Sequence, residues 1–134
     1  MAGSAGQLTL SIIPENDPTA METVRSNDVY HGTDRQFFAV TFNGAADVNN
    51  IHFYIGDAST GQITEAGVET ISMRATGRER GQFLLGNNSA QGGSRPFRGL
   101  LDALKVYGSK TGPHAALSAE KLREIFHADR EGKR

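Results

Sequence analysis

Short stretches in which apolar and polar residues alternate recur along this 134-residue chain, and glycine, asparagine and proline separate them. An alternation with a period of two places successive side chains on opposite faces of a β-strand. Closely spaced turn residues between such stretches are typical of antiparallel β-structure, and the chain has 16 glycines. The pattern predicts strands at residues 7–13, 21–26, 37–42, 51–55, 69–76, 82–85 and 97–107.

The predicted strands 37–42 and 51–55 show the clearest alternation, and we expect them to pair as neighbours. His52 and Tyr54 are expected to point outward or towards a groove. The apolar side chains predicted to face the core are Phe38, Val40, Phe42, Ile51, Phe53, Ile55 and, from the terminal strand, Leu104.

A helix is predicted near the C-terminus, over residues 118–127. Ser118 has the hydroxyl that an N-cap needs, and Leu117 and Leu122 occupy the two positions of a hydrophobic staple. The residues from 129 to the end are expected to fray. An apolar stripe at helical spacing, which we expect to dock on the β-structure, consists of Leu122, Ile125 and Phe126.

The length is enough for one domain with its own core, predicted over residues 7–129. Residues 1–6 are interpreted as an expression leader or a disordered start, and residues 130–134 as a frayed tail. Lys and Arg (14) nearly balance Asp and Glu (15), and the basic residues are scattered, which argues against a nucleic-acid partner. Cysteine is absent, so disulfides and thiolate metal sites are excluded. Because no apolar run approaches about 18 residues, no membrane-spanning helix is expected.

Four segments resemble, in order, motifs of the laminin G-like, concanavalin A-like jelly-roll domains. Residues 35–44 are similar to the family's strand W-h-h-V-A-V-T-F-D-G, residues 53–57 to its Y-V-D-G hairpin, and residues 83–87 to its l-x-I-G-N segment. Residues 95–122 match its closing pattern, F-x-G-h-h-D followed by A-L-S-x-E. The resemblance implies an all-β antiparallel jelly-roll β-sandwich with a short C-terminal α-helix.

This chain departs from the family pattern in three ways. Arg35 stands where the family usually has tryptophan. Gly56-Asp57 reverses the family's usual Asp-Gly order, and this reversal is expected to lengthen the following turn over residues 58–67. The strands that family members carry before the position of Leu8 are missing, so the jelly-roll is expected to be truncated. Because a truncated sandwich exposes apolar faces and strand edges, we expect a homo-oligomer.

The loop after the first clear strand is a candidate ligand-binding rim. Its side-chain amides and carboxylates suit the paired hydroxyls of a glycan, although asparagine and aspartate are also ordinary turn residues. Tyr54 is a candidate for stacking on a sugar ring, or else it covers the sheet. A second polar loop is interpreted either as a glycan or protein site or as a flexible connection. The candidate residues in the two loops are Asn43, Asp47, Asn49 and Asn50 in the first, and Asn87, Asn88 and Arg95 in the second.

The resemblance implies one candidate metal ligand, Asp102, because the family's aspartate at this position often helps hold a structural calcium ion. The alternative is a carboxylate that hydrogen-bonds a loop. No other cofactor is expected, since the four histidines share no metal-ligand spacing.

Catalysis is not expected, because the sequence contains no carboxylate pair suited to glycoside hydrolysis, and Glu65 and Glu69 do not form one. The leading hypothesis is a non-catalytic module that binds a glycan or a protein, within a larger secreted or cell-surface protein. The alternatives are a structural domain that assembles through its exposed sheet, and a fragment of a glycan-active enzyme.

Overall fold

Two antiparallel sheets and a C-terminal helix make up the computed structural model, which describes residues 6–12, 20–27, 35–72, 101–108 and 116–132. The fold is mostly β with one short helix, as predicted, whereas a jelly-roll arrangement is not seen in the described residues. Strands β1 and β2 form one sheet, and the other has the order β3-β4-β5. The elements are β1 (Thr9–Ile12), β2 (Glu22–Arg25), β3 (Gln36–Phe42), β4 (Ile51–Asp57), β5 (Gln62–Glu69) and α1 (Ala119–Arg130).

The predicted pairing of the two clearest strands is confirmed. In the antiparallel register of β3 and β4, Phe42 lies opposite Ile51 and Val40 opposite Phe53. Strand β4 is the middle strand, and its burial alternates little because both of its faces are covered. Ile51 and Phe53 are fully buried on one face, which we call the inner face. The opposite face, here called the helix face, carries Tyr54 and Gly56.

The β1–β2 sheet packs on the inner face. Ile51, Phe53, Ala66 and Ile71 form the buried cluster, and the half-buried side chains packed against it are Leu8, Leu10, Ile12, Val24, Phe42 and Ile55. The prediction that Phe38 and Val40 lie in the core is wrong, since they are 45% and 41% exposed. The β1–β2 sheet packs against the buried cluster, and of the apolar residues of β3 only Phe42 is packed against that cluster, so Phe38 and Val40 stay exposed.

A β-bulge in β5 lies at the point where a backbone hydrogen bond joins the two sheets. Phe53 lies opposite Gly67 and Tyr54 opposite Glu65, so Ala66 is the extra residue. The Ala66 carbonyl accepts a hydrogen bond of 2.8 Å from the backbone N–H of Asn27, two residues after the end of β2. A Cβ on Gly67 would lie 3.0 Å from that nitrogen, so glycine is required for this close approach.

Helix α1 docks on the helix face through Phe126, which is buried together with Leu122. The Phe126 ring lies 5.1 Å from that of Phe37, and it sits over Gly56. A Cβ on Gly56 would lie 3.2 Å from Phe126 and 3.0 Å from Phe37. The absence of a side chain at Gly56 therefore makes room for the helix.

The predicted helix cap is confirmed, because the Ser118 hydroxyl accepts a hydrogen bond from the Lys121 N–H. The helix extends three residues beyond its predicted end at His127, to Arg130, so residues 129 and 130 are helical rather than frayed. The Arg130 guanidinium lies over Gly61, in the β4–β5 turn, and 5.9 Å from the centre of the Phe126 ring. These contacts hold the last turn of α1 against the sheet.

Two other strand predictions are wrong. The expected long turn at residues 58–67 is short, because β5 begins at Gln62 and occupies most of it, and residues 70–72 are not in a strand. The expected terminal strand is not formed at residues 101–107, where Ala103 has a left-handed backbone (φ 51°) and Leu104 is exposed. The predicted strand 82–85 and the remaining parts of the strands predicted at 69–76 and 97–107 lie outside the described residues.

We expect Phe126→Ala to lower the free energy of unfolding by about 3–5 kcal/mol, because it removes the ring that fills the space between Gly56 and Phe37. Denaturant unfolding measures the change. Ile125→Ala, at a half-buried neighbouring position, is the control and should cost clearly less. Similar losses in both variants would mean that α1 does not dock through Phe126.

Candidate functional site

A cluster of polar side chains lies on the helix face, next to the docked helix. His52 and Tyr54 alternate with the inner-face residues of β4, and Glu65 lies opposite Tyr54 on β5. The Nδ1 atom of His52 is 2.9 Å from Oε2 of Glu65, and its Nε2 atom is 3.1 Å from the backbone carbonyl oxygen of Asn49. The rings of His52 and Tyr54 stack, with centres 6.2 Å apart and planes 11° from parallel. We refer to His52, Tyr54 and Glu65 as the histidine cluster.

Tyr54 forms the buried base of this cluster, with 5% of its surface exposed. Burial raises the pKa of its phenol above the ordinary value of 10.0, and the negative charge of Glu65 and a hydrogen bond to that carboxylate raise it further. The positive charge of Arg123 on α1 acts in the opposite direction. Because its ring is covered, Tyr54 does not offer an open face to a sugar in this structure.

The loop between β3 and β4 contains the four polar residues predicted to form a rim, and the structure gives them different environments. The Asn43 side chain accepts a hydrogen bond from the Ala45 N–H, which is the Asx-turn chemistry considered as the alternative. Asp47 and Asn49 are exposed. Asn49 has a left-handed backbone (φ 50°), and its N–H donates to the Thr70 hydroxyl.

Asn50, in contrast, is completely buried. Its side-chain amide donates to the Ile71 carbonyl at 2.8 Å and accepts from the Ile71 N–H at 2.9 Å. The side chain thus pairs with the backbone of Ile71 as a neighbouring strand would, and it fixes the chain that leaves β5. Asn50 therefore has no surface available to a ligand, and its role in this structure is structural.

Asp102, the candidate calcium ligand, forms an exposed ion pair with Arg35, with 2.6 Å between Oδ2 and Nη2. Within the described residues, no group of three or more His, Asp or Glu side chains is placed to hold a metal ion. Calcium at Asp102 stays a prediction, and Asn87, Asn88 and Arg95 lie outside the described residues.

Residues 101–108, which we call the closing segment, have an inverted distribution of side chains: polar side chains contact the domain and large apolar side chains are exposed. Two polar side chains attach the segment to the domain: Asp102 pairs with Arg35, and Lys105 pairs with Asp129 of α1 at 2.6 Å. Its large apolar side chains are exposed by half or more, and they are Leu101, Leu104, Val106 and Tyr107.

The side chain of Asp57 stabilises the turn that connects β4 and β5. The Asp57 carboxylate accepts hydrogen bonds from the side chain and backbone of Ser59 and from the backbone of Thr60. The bonds from Ser59 lower the pKa of Asp57 below its ordinary value, because they favour the charged carboxylate. The carboxylate is thus committed to shaping the turn.

Comparisons with protein-family models, with curated proteins and with solved structures find no match to this chain. In the part of the chain that the structure describes, no helix is long and apolar enough to cross a membrane.

Sequence reasoning did not find the pairing of His52 with Glu65. Glu65 falls within residues 58–67, the stretch expected to form a long turn. Residues 62–65, Gln-Ile-Thr-Glu, contain a single apolar residue and show no apolar–polar alternation, so no local pattern marks Glu65 as a strand residue.

We expect Asn50→Ala to lower the free energy of unfolding by about 2–4 kcal/mol, because it leaves the buried N–H and C=O groups of Ile71 unpaired. Asn43→Ala is a matched control in the same loop, and it should cost about 1 kcal/mol or less because a single local hydrogen bond is lost. Chemical denaturation compares them. An Asn50 variant as stable as the Asn43 variant would contradict the structural role of Asn50.

We expect the stability advantage of the unmodified chain over Tyr54→Phe to shrink as the pH rises above about 10. In that range the unfolded chain releases the Tyr54 proton while the folded chain still holds it, so stability falls with pH. The phenylalanine variant has no such proton to lose at this position. Denaturant unfolding at a series of pH values from 8 upward measures the difference, and a constant difference would contradict the raised pKa.

Proposed function

We propose that this chain is a non-catalytic binding module that associates through its closing segment, in the first place with a second copy of itself. The observation that carries the proposal is the inverted closing segment, which binds the domain through its polar side chains and exposes its apolar ones.

The energetics favour a covering partner. Exposed ion pairs such as Arg35–Asp102 contribute only about 0–1 kcal/mol, so they do not offset the exposure of several large apolar side chains. Burying such a side chain completely is worth about 1.5–3 kcal/mol. Concentrations of exposed apolar side chains are typical of protein interaction sites. Val106, 77% exposed, is the most accessible member of the set.

A second copy satisfies this surface without any further component. In a two-fold dimer the same patch is used by both chains, so each closing segment can cover the other. The ion pairs of the segment leave its apolar side chains available for this contact.

Glycan recognition has weaker support. A sugar site needs polar groups at the surface next to an accessible aromatic ring. The ring expected to serve, Tyr54, is covered, and Asn50 is buried. Asn43, Asp47 and Asn49 are the rim residues that remain accessible to a ligand.

The finer parts of the proposal come from the resemblance to laminin G-like domains. They are a jelly-roll sandwich, a place in a larger secreted or cell-surface protein, and a structural calcium ion. A calcium ion at Asp102 would compete with Arg35 for the carboxylate. Calcium binding would therefore loosen the attachment of the closing segment to β3.

We expect Val106→Ser to weaken self-association by about tenfold or more, because a largely exposed apolar side chain at the interface becomes polar. Val48→Ser is the matched control, since Val48 is 65% exposed and lies on the β3–β4 loop. Sedimentation velocity over a range of protein concentrations gives the dissociation constants.

Two results would contradict the proposal. One is a folded chain that remains monomeric at every concentration. The other is a glycan array on which the chain binds a sugar and loses that binding in Asn43→Ala or Asp47→Ala, which would favour the glycan hypothesis instead.

A further inference from the structure

Both ring nitrogens of His52 face oxygen atoms that act as hydrogen-bond acceptors. Nε2 faces the backbone carbonyl of Asn49, and Nδ1 faces the Glu65 carboxylate. The Asn49 carbonyl belongs to the β3–β4 loop, and Glu65 belongs to β5. One imidazole ring therefore bridges two parts of the chain that are separate in sequence.

A neutral imidazole has one N–H group, so it donates one hydrogen bond. The Asn49 carbonyl has no proton to give, and an ionised Glu65 has none either. Both contacts are therefore hydrogen bonds only when the His52–Glu65 pair holds one additional proton, on the ring or shared with the carboxylate. Without that proton, one nitrogen presents a lone pair to an oxygen atom about 3 Å away.

The other groups around His52 do not supply the additional proton that the two hydrogen bonds of its ring require. Tyr54 of β4 stacks on the ring, and its hydroxyl is hydrogen-bonded to Glu65. Arg123 of α1 is the positive charge that acts on Tyr54. On β3, the residue opposite His52 is the uncharged Thr41. The Tyr54 hydroxyl contact uses part of the hydrogen-bonding capacity of Glu65 and fixes the carboxylate in place.

We propose that His52 is a pH-dependent clamp, which ties the β3–β4 loop to β5 when the His52–Glu65 pair is protonated. When the pair loses that proton, the contact with the Asn49 carbonyl is released, because the ionised Glu65 carboxylate is the stronger acceptor for the one remaining N–H. Histidine is the side chain that ordinarily changes charge between pH 5 and 8, so the comparison is made between pH 5.5 and 7.5. The loop it controls contains the accessible residues Asp47 and Asn49. The inference is independent of the proposed self-association.

Release affects the loop locally. Asn50 remains fixed to Ile71 at any pH in this range, because that pairing involves amide groups that do not titrate. Asn49, one residue before it, is held by the His52 contact and by the bond from its N–H to the Thr70 hydroxyl. Hydrogen exchange of the Asn49 backbone amide therefore reports whether the contact with His52 is made.

The test is amide hydrogen exchange of the full chain by NMR at pH 5.5 and 7.5, corrected for the intrinsic pH dependence of exchange. We expect protection of the Asn49 amide to fall by about three- to tenfold at the higher pH, the value of one hydrogen bond. His52→Gln should abolish this response. His127→Gln, at an exposed histidine on α1, is the matched control and should retain it.

Glu65→Gln is the sharper variant, because its NH₂ group can donate to Nδ1 while Nε2–H donates to the Asn49 carbonyl. A neutral ring then makes both hydrogen bonds, so the Asn49 amide should stay protected at pH 7.5. Glu65→Gln also tests the proposal on its own if His52→Gln does not fold. Equal protection at both pH values in the unmodified chain, or a pH response that persists in Glu65→Gln, would overturn the proposal.

Discussion

Strand β4 organises this fold because other elements cover it on both faces. On the inner face, Ile51 and Phe53 are fully buried against the β1–β2 sheet. On the helix face, Gly56 leaves space for Phe126, which packs on Phe37 of β3. A strand covered on both sides needs small or well-paired side chains wherever another element comes close. The glycine at position 56 and the buried phenol at position 54 meet that requirement.

Much of this architecture was predictable because it depends on local patterns. The alternation in β3 and β4 and the cap at Ser118 each identify an element from adjacent residues. The sequence marks strand β5 only weakly, because Gly67, in a bulge where β2 approaches, resembles a turn residue. The closing segment alternates like a strand, but alternation does not say whether an apolar side faces the core or the outside. That depends on which elements cover the segment, which is a tertiary property.

The candidate site was predicted in part. The sequence indicated the polar loop between β3 and β4, but not that Asn50 would turn inward to pair with Ile71 while Asn49 stayed at the surface. The contact between His52 and Glu65 depends on the register of β4 and β5, and the bulge at Ala66 shifts that register by one residue. Neither feature has a local signal, because both arise from residues that are separate in the sequence.

The most direct test of the central role of β4 is residue-resolved hydrogen exchange of the folded chain, with protection expressed as a free energy of opening. If both layers depend on β4, its central amides should open with the free energy of global unfolding. The amides of Leu122 and Phe126 in α1, and those of Leu10 and Ile12 in β1, should open at nearly the same free energy. Low protection throughout α1 alongside strong protection of β4 would contradict the account, because it would mean that the helix face of β4 is not covered by a docked helix.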